Sequence, residues 1–368
     1  MSELLEELVI ERFKCFENLR LPLRPLTLLT GFNAAGKSTA LQPLLLLAQA
    51  ARVRSWDMAS GEGKLPLNGD IVRLGSAGDV FRTGASSSPA LKLVLGDEKL
   101  FLSVTAKAGE RVLRPCIESR SSGFGKLAER IERLVHISAV RLGPADSFPI
   151  PDRSYSGLAD VGVDGRYACH WYHELSDEKI REEVCRPDSS GTTFRRQVDA
   201  WLDYLAPGAN ANVQAISEAA ALALRFRLSD IGEWKRPANV GYGLTYAFPL
   251  IVALLAAQPG DVLSIDSPEA HLHPQAQSRM GAMLAKFAAA GIQLLVETHS
   301  DHILNGVRLA VAKRVLTPQD TGLTFFAGTS EAGHGVSLPQ IDSKGRINVW
   351  PDGFFDQAET DIAALTGW

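Results

Sequence analysis

The chain has 368 residues, 45% hydrophobic and 22% charged, which is ordinary for a globular protein and enough for one large domain or two. A net charge of −4 and a pI of about 6.1 exclude a polycation built for bulk nucleic-acid binding and leave only a local basic groove open. Cys15, Cys116, Cys169 and Cys185 form no C-x-x-C pair, so a disulfide framework or zinc ribbon is not expected and a reducing cytoplasm is.

Residues 8–13 and 19–23 read as two short strands. Residues 26–30, Leu-Thr-Leu-Leu-Thr, predict a buried strand that runs into Gly31-Phe32-Asn33-Ala34-Ala35-Gly36-Lys37-Ser38-Thr39. The pattern G-x-x-x-x-G-K-[ST] is a phosphate cradle. Gly31 and Gly36 let the backbone bend so that N–H groups around Asn33, Ala34, Ala35 and Thr39 converge on phosphate oxygens. Lys37 supplies a compact positive charge for the β- and γ-phosphates, and the Ser38 hydroxyl suits Mg²⁺. Residues 40–51 predict an apolar helix whose N-terminus faces the anion, kinked at Pro43.

Residues 53–88, rich in Gly, Ser and Asp, are expected to be loop. Residues 91–95 and 100–104 flank Gly96-Asp97-Glu98 and predict a hairpin, and 134–140 predict a further strand. Residues 150–192 look loop-rich. Phe194, Val198, Trp201, Leu202 and Leu205 then fall at i, i+4, i+7, i+8 and i+11, the packing face of an amphipathic helix.

After residue 238 strands and helices alternate. Asn239-Val240-Gly241-Tyr242-Gly243 leads into an apolar helix over 244–257, of which 248–257 is the longest apolar run and too short to cross a bilayer. Residues 261–266 predict a buried strand tipped by Asp266, and an acid on such a tip is what Mg²⁺ orientation requires. Ser267-Pro268-Glu269-Ala270-His271-Leu272-His273-Pro274 follows. Ala276, Met280, Met283, Leu284, Phe287 and Ala288 mark a helix that Gly291 ends, and 292–296 form the next strand. Glu297-Thr298-His299-Ser300-Asp301 comes next. This alternation is a parallel α/β arrangement. Ser300, Asp301 and His302 sit on one turn without the convergence a catalytic triad needs. His271 and His273, taken with His299, lack helical ligand spacing.

The combination resembles the ABC-class ATPases of the SMC/RecF/OLD group and, more narrowly, the bacterial AAA-type ATPases that carry a DUF3696 domain. The resemblance rests on 31–39, 239–243, 266–274, Glu297 to Gly306, and the tail Asn348-Val349-Trp350-Pro351-Asp352-Gly353-Phe354-Phe355-Asp356-Gln357. It covers roughly 1–50 and 238–360 and is thin between 53 and 235. It implies an ABC-type P-loop head with an N-terminal antiparallel β-subdomain and an inserted, mainly helical segment. The expected divisions are 1–150, 151–237 and 238–368. It implies ATP held by 31–39, Mg²⁺ held by Ser38 and Asp266, and His299 as the γ-phosphate switch. Gln42 is a weak candidate for communication with the γ-phosphate. Gly241 and Gly243 stand where the signature loop would cap the nucleotide of a second copy, although L-S-G-G-Q itself is missing; two glycines before a helix also make an ordinary turn.

The family usually places a glutamate directly after the Mg²⁺-binding acid, and here that position is Ser267. A serine hydroxyl cannot serve as the general base, and losing such a base slows turnover by about 10²–10⁴-fold. Slow hydrolysis is therefore expected, with Glu297 or Glu269 compensating in part, unless Glu269 and His271 merely tie down their loop. The leading expectation is a cytoplasmic ATPase that dimerises on ATP and drives a separate protein effector, without membrane association. The alternative is an ATP-dependent component of a nuclease, antiviral-defence or DNA-repair complex that binds DNA directly. A P-loop kinase would need an arginine lid, and Arg195, Arg196, Arg225, Arg227, Lys235 and Arg236 look scattered.

Overall fold

The computed structural model describes residues 4–366 apart from 83, 85–87, 122–124, 153–157, 188, 190, 217–219, 230, 331 and 332. Parts of the expected loops at 53–88 and 150–192 thus lie outside the described residues. By density of contacts the chain forms two compact units. One compact unit comprises Met1–Leu134, Gln293–His299 and Thr317–Trp368, the other Val135–Ile292 and Ser300–Leu316.

The first unit holds two sheets. Glu7–Phe13 and Phe16–Pro22 pair antiparallel, and Glu7–Phe13 also pairs with Ala90–Leu95. The sheet continues through the hairpin partner Glu98–Thr105 to Val112–Arg120 and the short strand Leu65–Pro66. This is the antiparallel β-subdomain, and the hairpin turns at Gly96 with φ 55°. The second sheet runs Gly333–Ser337, Thr321–Ser330, Leu26–Gly31, Gln293–Glu297. Its last three strands are parallel, and Leu26–Gly31 lies between two partners. That placement explains its unbroken apolar reading, because a central parallel strand is covered on both faces. Helix Lys37–Arg52 starts three residues earlier than the apolar run and continues through Pro43. At its far end Arg52 donates to the carbonyls of Glu132 and Leu134.

The second unit is built around helix Tyr242–Ala256, which is apolar on every side and buries most of its length. Phe248 meets Tyr172 of helix Ala168–Leu175 and Phe226 of strand Ala221–Arg227 at ring separations of 5.6 and 6.0 Å. The helix predicted at 194–205 is present over Phe194–Leu205, and its Trp201 packs against Phe287 of helix Pro274–Ala289. Strand Val262–Asp266 pairs in parallel with Val135–Ile137. The strand expected over 134–140 is shorter because Ser138 turns its N–H to Val163 and its hydroxyl to the Val140 carbonyl. Within 151–237, helices Ala168–Leu175 and Phe194–Leu205 are followed by an antiparallel hairpin, Asn210–Ile216 with Ala221–Arg227. No helix among the described residues is long and apolar enough to cross a membrane.

Candidate nucleotide site

In the first unit, strand Leu26–Gly31 delivers the phosphate loop. Gly31 has φ 130°, and a Cβ there would lie 2.2 Å from the Phe326 carbonyl oxygen. Gly36 has φ 99°, and a Cβ there would lie 2.6 Å from the Phe16 ring. Both positions therefore require glycine for backbone angle and for room. Asn33 and Ala34 are exposed on the turn, Ala34 with φ 59°, while Ala35 is buried. Gly36 caps helix Lys37–Arg52 without any side-chain hydrogen bond, so the first-turn N–H groups of Ser38 and Thr39 have no side-chain cap and suit an anion. The Lys37 ammonium is buried and donates to the carbonyls of Gly31 at 3.1 Å and Phe32 at 2.7 Å, which curls the loop around its own charge. One turn further along the helix, the Gln42 side-chain oxygen is buried without a hydrogen-bond partner among the described residues.

The parallel neighbour Gln293–Glu297 ends at the same level, with Glu297 opposite Leu29. Glu297 is only 7% exposed, and its Oε1 accepts from the Ser38 hydroxyl at 3.0 Å. The sheet thus joins Ser38 and Glu297 across 259 residues of sequence. Two residues on, His299 lines a cavity of about 240 Å³ together with Gly31, Phe32, Phe354 and Asp356. Residues 353–356 of the tail that carries the resemblance therefore lie at the phosphate loop. Phe32 meets Phe325 at 5.7 Å, and Phe325 meets the buried Phe354 at 5.4 Å.

In the second unit, Asp266 stands at the tip of its strand as expected. Ser267 takes a left-handed conformation, φ 49°, and its hydroxyl donates to Asp266 Oδ1 at 2.8 Å. Arg141, which carried no sequence motif, is 3% exposed beneath this turn. Its Nη2 donates to the carbonyls of Asp266 at 2.6 Å and Ser267 at 3.1 Å. Among the described residues, its Nε and Nη1 are buried without hydrogen-bond partners. Burial pushes the guanidinium pKa down to about 10, against the opposing charges of Asp266 and Glu269. Arg141 also lies 5.6 Å from the centre of the Tyr246 ring.

Gly241, φ 85°, begins helix Tyr242–Ala256 with open space where a Cβ would sit. Gly243 instead packs inward, since a Cβ there would lie 2.9 Å from the His271 carbonyl oxygen. The His271 ring meets Tyr246 at 4.6 Å and Tyr242 at 5.2 Å, so the two tyrosines tie the loop after Asp266 to the start of that helix. His273 accepts from the Gln275 N–H as a helix cap, and Ser300 accepts from the Ile303 N–H while donating to Gln277. These are structural uses. Among the described residues no group of three His, Cys, Asp or Glu side chains could hold a metal ion by itself. A metal held jointly with phosphate oxygens suits a hydroxyl and a carboxylate, and within the first unit Ser38 and Glu297 are side chains of that type.

Residues 166–305 match the family described as "AAA domain, putative AbiEii toxin, Type IV TA system", and residues 316–365 match "Protein of unknown function (DUF3696)". The first match takes in Gly241, Asp266 and His299 but not the phosphate loop. No curated protein sequence matches the chain. Among solved structures, the fold is similar to an SMC head bound to the C-terminal winged-helix domain of ScpA, with a TM-score of 0.51 at 12% identity over 91% of this chain and 97% of that one. It is also similar to an SMC head with an extended coiled coil bound to the C-terminal domain of ScpA derived from Pyrococcus furiosus, with a TM-score of 0.53 at 10% identity over 99% of both chains. At such identities the likeness carries the fold alone, an ABC-type P-loop head. The two family matches and this fold together support the resemblance to ABC-class, AAA-type ATPases that carry a DUF3696 segment.

Proposed function

We propose that the chain binds Mg–ATP, hydrolyses it slowly, and works in the cytoplasm as a two-copy conformational switch for a separate protein. Lys37 and the N–H groups of 31–39 hold the phosphates, and Ser38 and Asp266 are the Mg²⁺ ligands. Bound Mg–ATP supplies the phosphoanhydride that is cleaved.

The observation that carries this reading is the Ser38–Glu297 hydrogen bond. It keeps a buried carboxylate beside the hydroxyl that the phosphate loop offers to the metal. Glu297 is thereby the leading candidate to orient water and accept its proton, which is the geometric condition for a general base. Glu269 is the second candidate. Ser267 is neither, because its hydroxyl already donates to Asp266. His299, which shares a cavity with Gly31 and Phe32, is the candidate γ-phosphate sensor. Gly241, at an exposed and uncapped helix start, is suited to approach the nucleotide of a second copy, with Gly243 holding that start against its own loop.

Sedimentation in the presence of Mg–ATP tests the switch. Dimers are expected with ATP, most persistently in D266N, and a K37A variant should neither bind nucleotide nor dimerise. Monomers throughout would refute the two-copy model.

One observation favours direct DNA contact as the second reading. Arg225, Lys235 and Arg236, scattered in sequence, border one shallow groove with Trp234. Basic side chains around an exposed aromatic suit a single strand. Salt-dependent oligonucleotide binding lost in R225E/K235E would support it.

A further inference from the structure

Within the second unit, helices Phe194–Leu205, Pro274–Ala289 and Asp301–Ala312 border a cavity of about 340 Å³ that takes no part in the nucleotide chemistry. Its volume lies in the range of small-molecule sites, roughly 300–1,000 Å³. The cavity is built on a stiff frame. Helices Pro274–Ala289 and Asp301–Ala312 touch backbone to backbone, since a Cβ on Gly306 would lie 2.0 Å from the Ser278 carbonyl oxygen and one on Gly281 2.2 Å from that of Ile303. The gap beside this crossing is therefore fixed by main chain rather than by a movable side chain.

One wall is aromatic. Trp201 is buried, and its ring meets that of Tyr204 edge-on at 5.7 Å. The mouth is apolar, with Leu309 and Val315 half-exposed. Four cations converge on these surfaces. The Arg186 guanidinium lies 4.1 Å from the Tyr204 ring centre and 5.4 Å from that of Trp201. The Arg279 guanidinium lies 5.5 Å from the Tyr204 ring centre and is fixed by a 2.7 Å bond to the Tyr204 carbonyl. Lys286 and Lys313 complete the set. No acidic side chain is among the described residues that line the cavity. Burial and the charge of Arg186 both hold the Lys286 ammonium below its usual range. Like charges gathered on an apolar wall repel one another, and a bound anion would relieve that repulsion.

We infer that this cavity binds a small molecule that carries a phosphate or carboxylate on an apolar or aromatic body. The body would lie against Trp201 and Tyr204, and the anionic group would face Arg279, Lys286 and Lys313. The Arg279 guanidinium suits a planar or forked anion, because it presents N–H donors in a fixed fork. The cavity is too small for a folded partner, whose stable docking would bury more than about 1,000 Å². The inference is independent of the nucleotide reading, since none of these residues belongs to that site.

The test uses the full chain without nucleotide. The probe is 1-anilinonaphthalene-8-sulfonate, with the uncharged N-phenyl-1-naphthylamine as its control. The sulfonate is expected to bind saturably, the neutral probe at least about tenfold more weakly, and K286E/K313E to weaken the sulfonate by about tenfold or more, the change that loss of one charge-assisted contact produces. K313E alone, at an exposed position, should give a smaller loss in the same direction and guards against misfolding of the double variant. K37A should bind the probe as wild type does. Phenyl phosphate and decanoate then compete for the site, and displacement by the first identifies a phosphate ligand, by the second a carboxylate. Equal binding of the neutral probe, an affinity in K286E/K313E within twofold of wild type, or displacement only by an acidic peptide would each overturn the inference.

Discussion

Replacement of Glu297 by glutamine separates chemistry from binding at the nucleotide site. Glu297 is buried, and one of its oxygens accepts from Ser38 at 3.0 Å. Glutamine has the same shape, and its amide oxygen can accept the same bond. The ground state should therefore be almost unchanged, with an ATP affinity within about threefold of wild type, less than the effect of a single lost hydrogen bond of about 1 kcal/mol. An amide cannot take a proton from water. Turnover should fall by about 10²–10⁴-fold, equivalent to about 3–5 kcal/mol on the barrier. The assay is phosphate release at saturating Mg–ATP, run beside a single-turnover measurement so that slow product release does not mask the chemical step. E297A removes the hydrogen bond as well and should weaken nucleotide binding in addition to slowing release. E269Q, whose carboxylate belongs to the loop after Asp266, should change turnover by less than about fivefold on the scale of a general base. If E297Q turns over within twofold of wild type, Glu297 is not the base. If E269Q is also unchanged, neither carboxylate compensates for Ser267.

Two further substitutions test the surrounding frame. R141M relieves the burial of a guanidinium whose pKa is pushed down to about 10, but it forfeits two charge-assisted bonds and leaves the Asp266 and Ser267 carbonyls without that donor. Urea unfolding should show a net loss of about 1–2 kcal/mol, and an unshifted midpoint would refute the role assigned to Arg141. Asp199 is pushed up to about 6 by burial, while its Oδ1 accepts from the Ala211 N–H. A carboxyl with a raised folded-state pKa binds more protons folded than unfolded, so its contribution to stability falls as pH rises from about 4 to about 6. D199N keeps the acceptor and removes the charge, so it should be more stable than wild type by about 1–3 kcal/mol at pH 7, with the difference shrinking toward pH 4. Equal stability of the two proteins at pH 7 would contradict this.

The parts of the fold that were readable in sequence are those where one physical demand dominates. Gly31, Gly36 and Lys37 answer to a phosphate, and the loop they form is so tight that two of its backbone positions admit no Cβ. Trp201 and its helical neighbours answer to a single buried face, and helix Phe194–Leu205 matches the predicted range. Strand Val112–Arg120 escaped because Pro115 reads as a breaker, yet its pairing with Leu65–Pro66 reaches only Val112 and Leu113, which leaves Pro115 along an open edge where a missing N–H is tolerated. The hairpin over 210–227 escaped because alanines dilute it, although Leu222, Leu224 and Phe226 alternate with half-buried neighbours as a strand should. Arg141 had no local signal at all. Its partners are main-chain carbonyls more than a hundred residues away, and only the folded chain brings them together.

The tail offers the sharpest physical link between the DUF3696 segment and the phosphate loop. Gly353 has φ 79°, and a Cβ there would lie 2.2 Å from Phe32 Cζ, far inside any tolerable contact. Phe32 is not a passive neighbour, because its carbonyl accepts from the Lys37 ammonium at 2.7 Å and its N–H donates to Phe326. G353A would strain a left-handed backbone, at about 1 kcal/mol, and would also drive Phe32 away from its position. If the ring, held beside Phe325, does not swing clear on its own side-chain torsions, the shift passes to the Phe32 carbonyl and changes the seat of Lys37. ATP affinity should therefore fall more than stability does. G96A supplies the control, since Gly96 also has a positive φ but sits at the tip of the hairpin between Ala90–Leu95 and Glu98–Thr105. Backbone strain alone predicts that G353A and G96A lose similar stability and bind ATP alike. Coupling through Phe32 predicts weaker nucleotide binding in G353A only, and F32A/G353A, which removes the clashing ring, should recover most of that loss. Failure of the double variant to recover would mean that the tail acts on the loop by some route other than this ring.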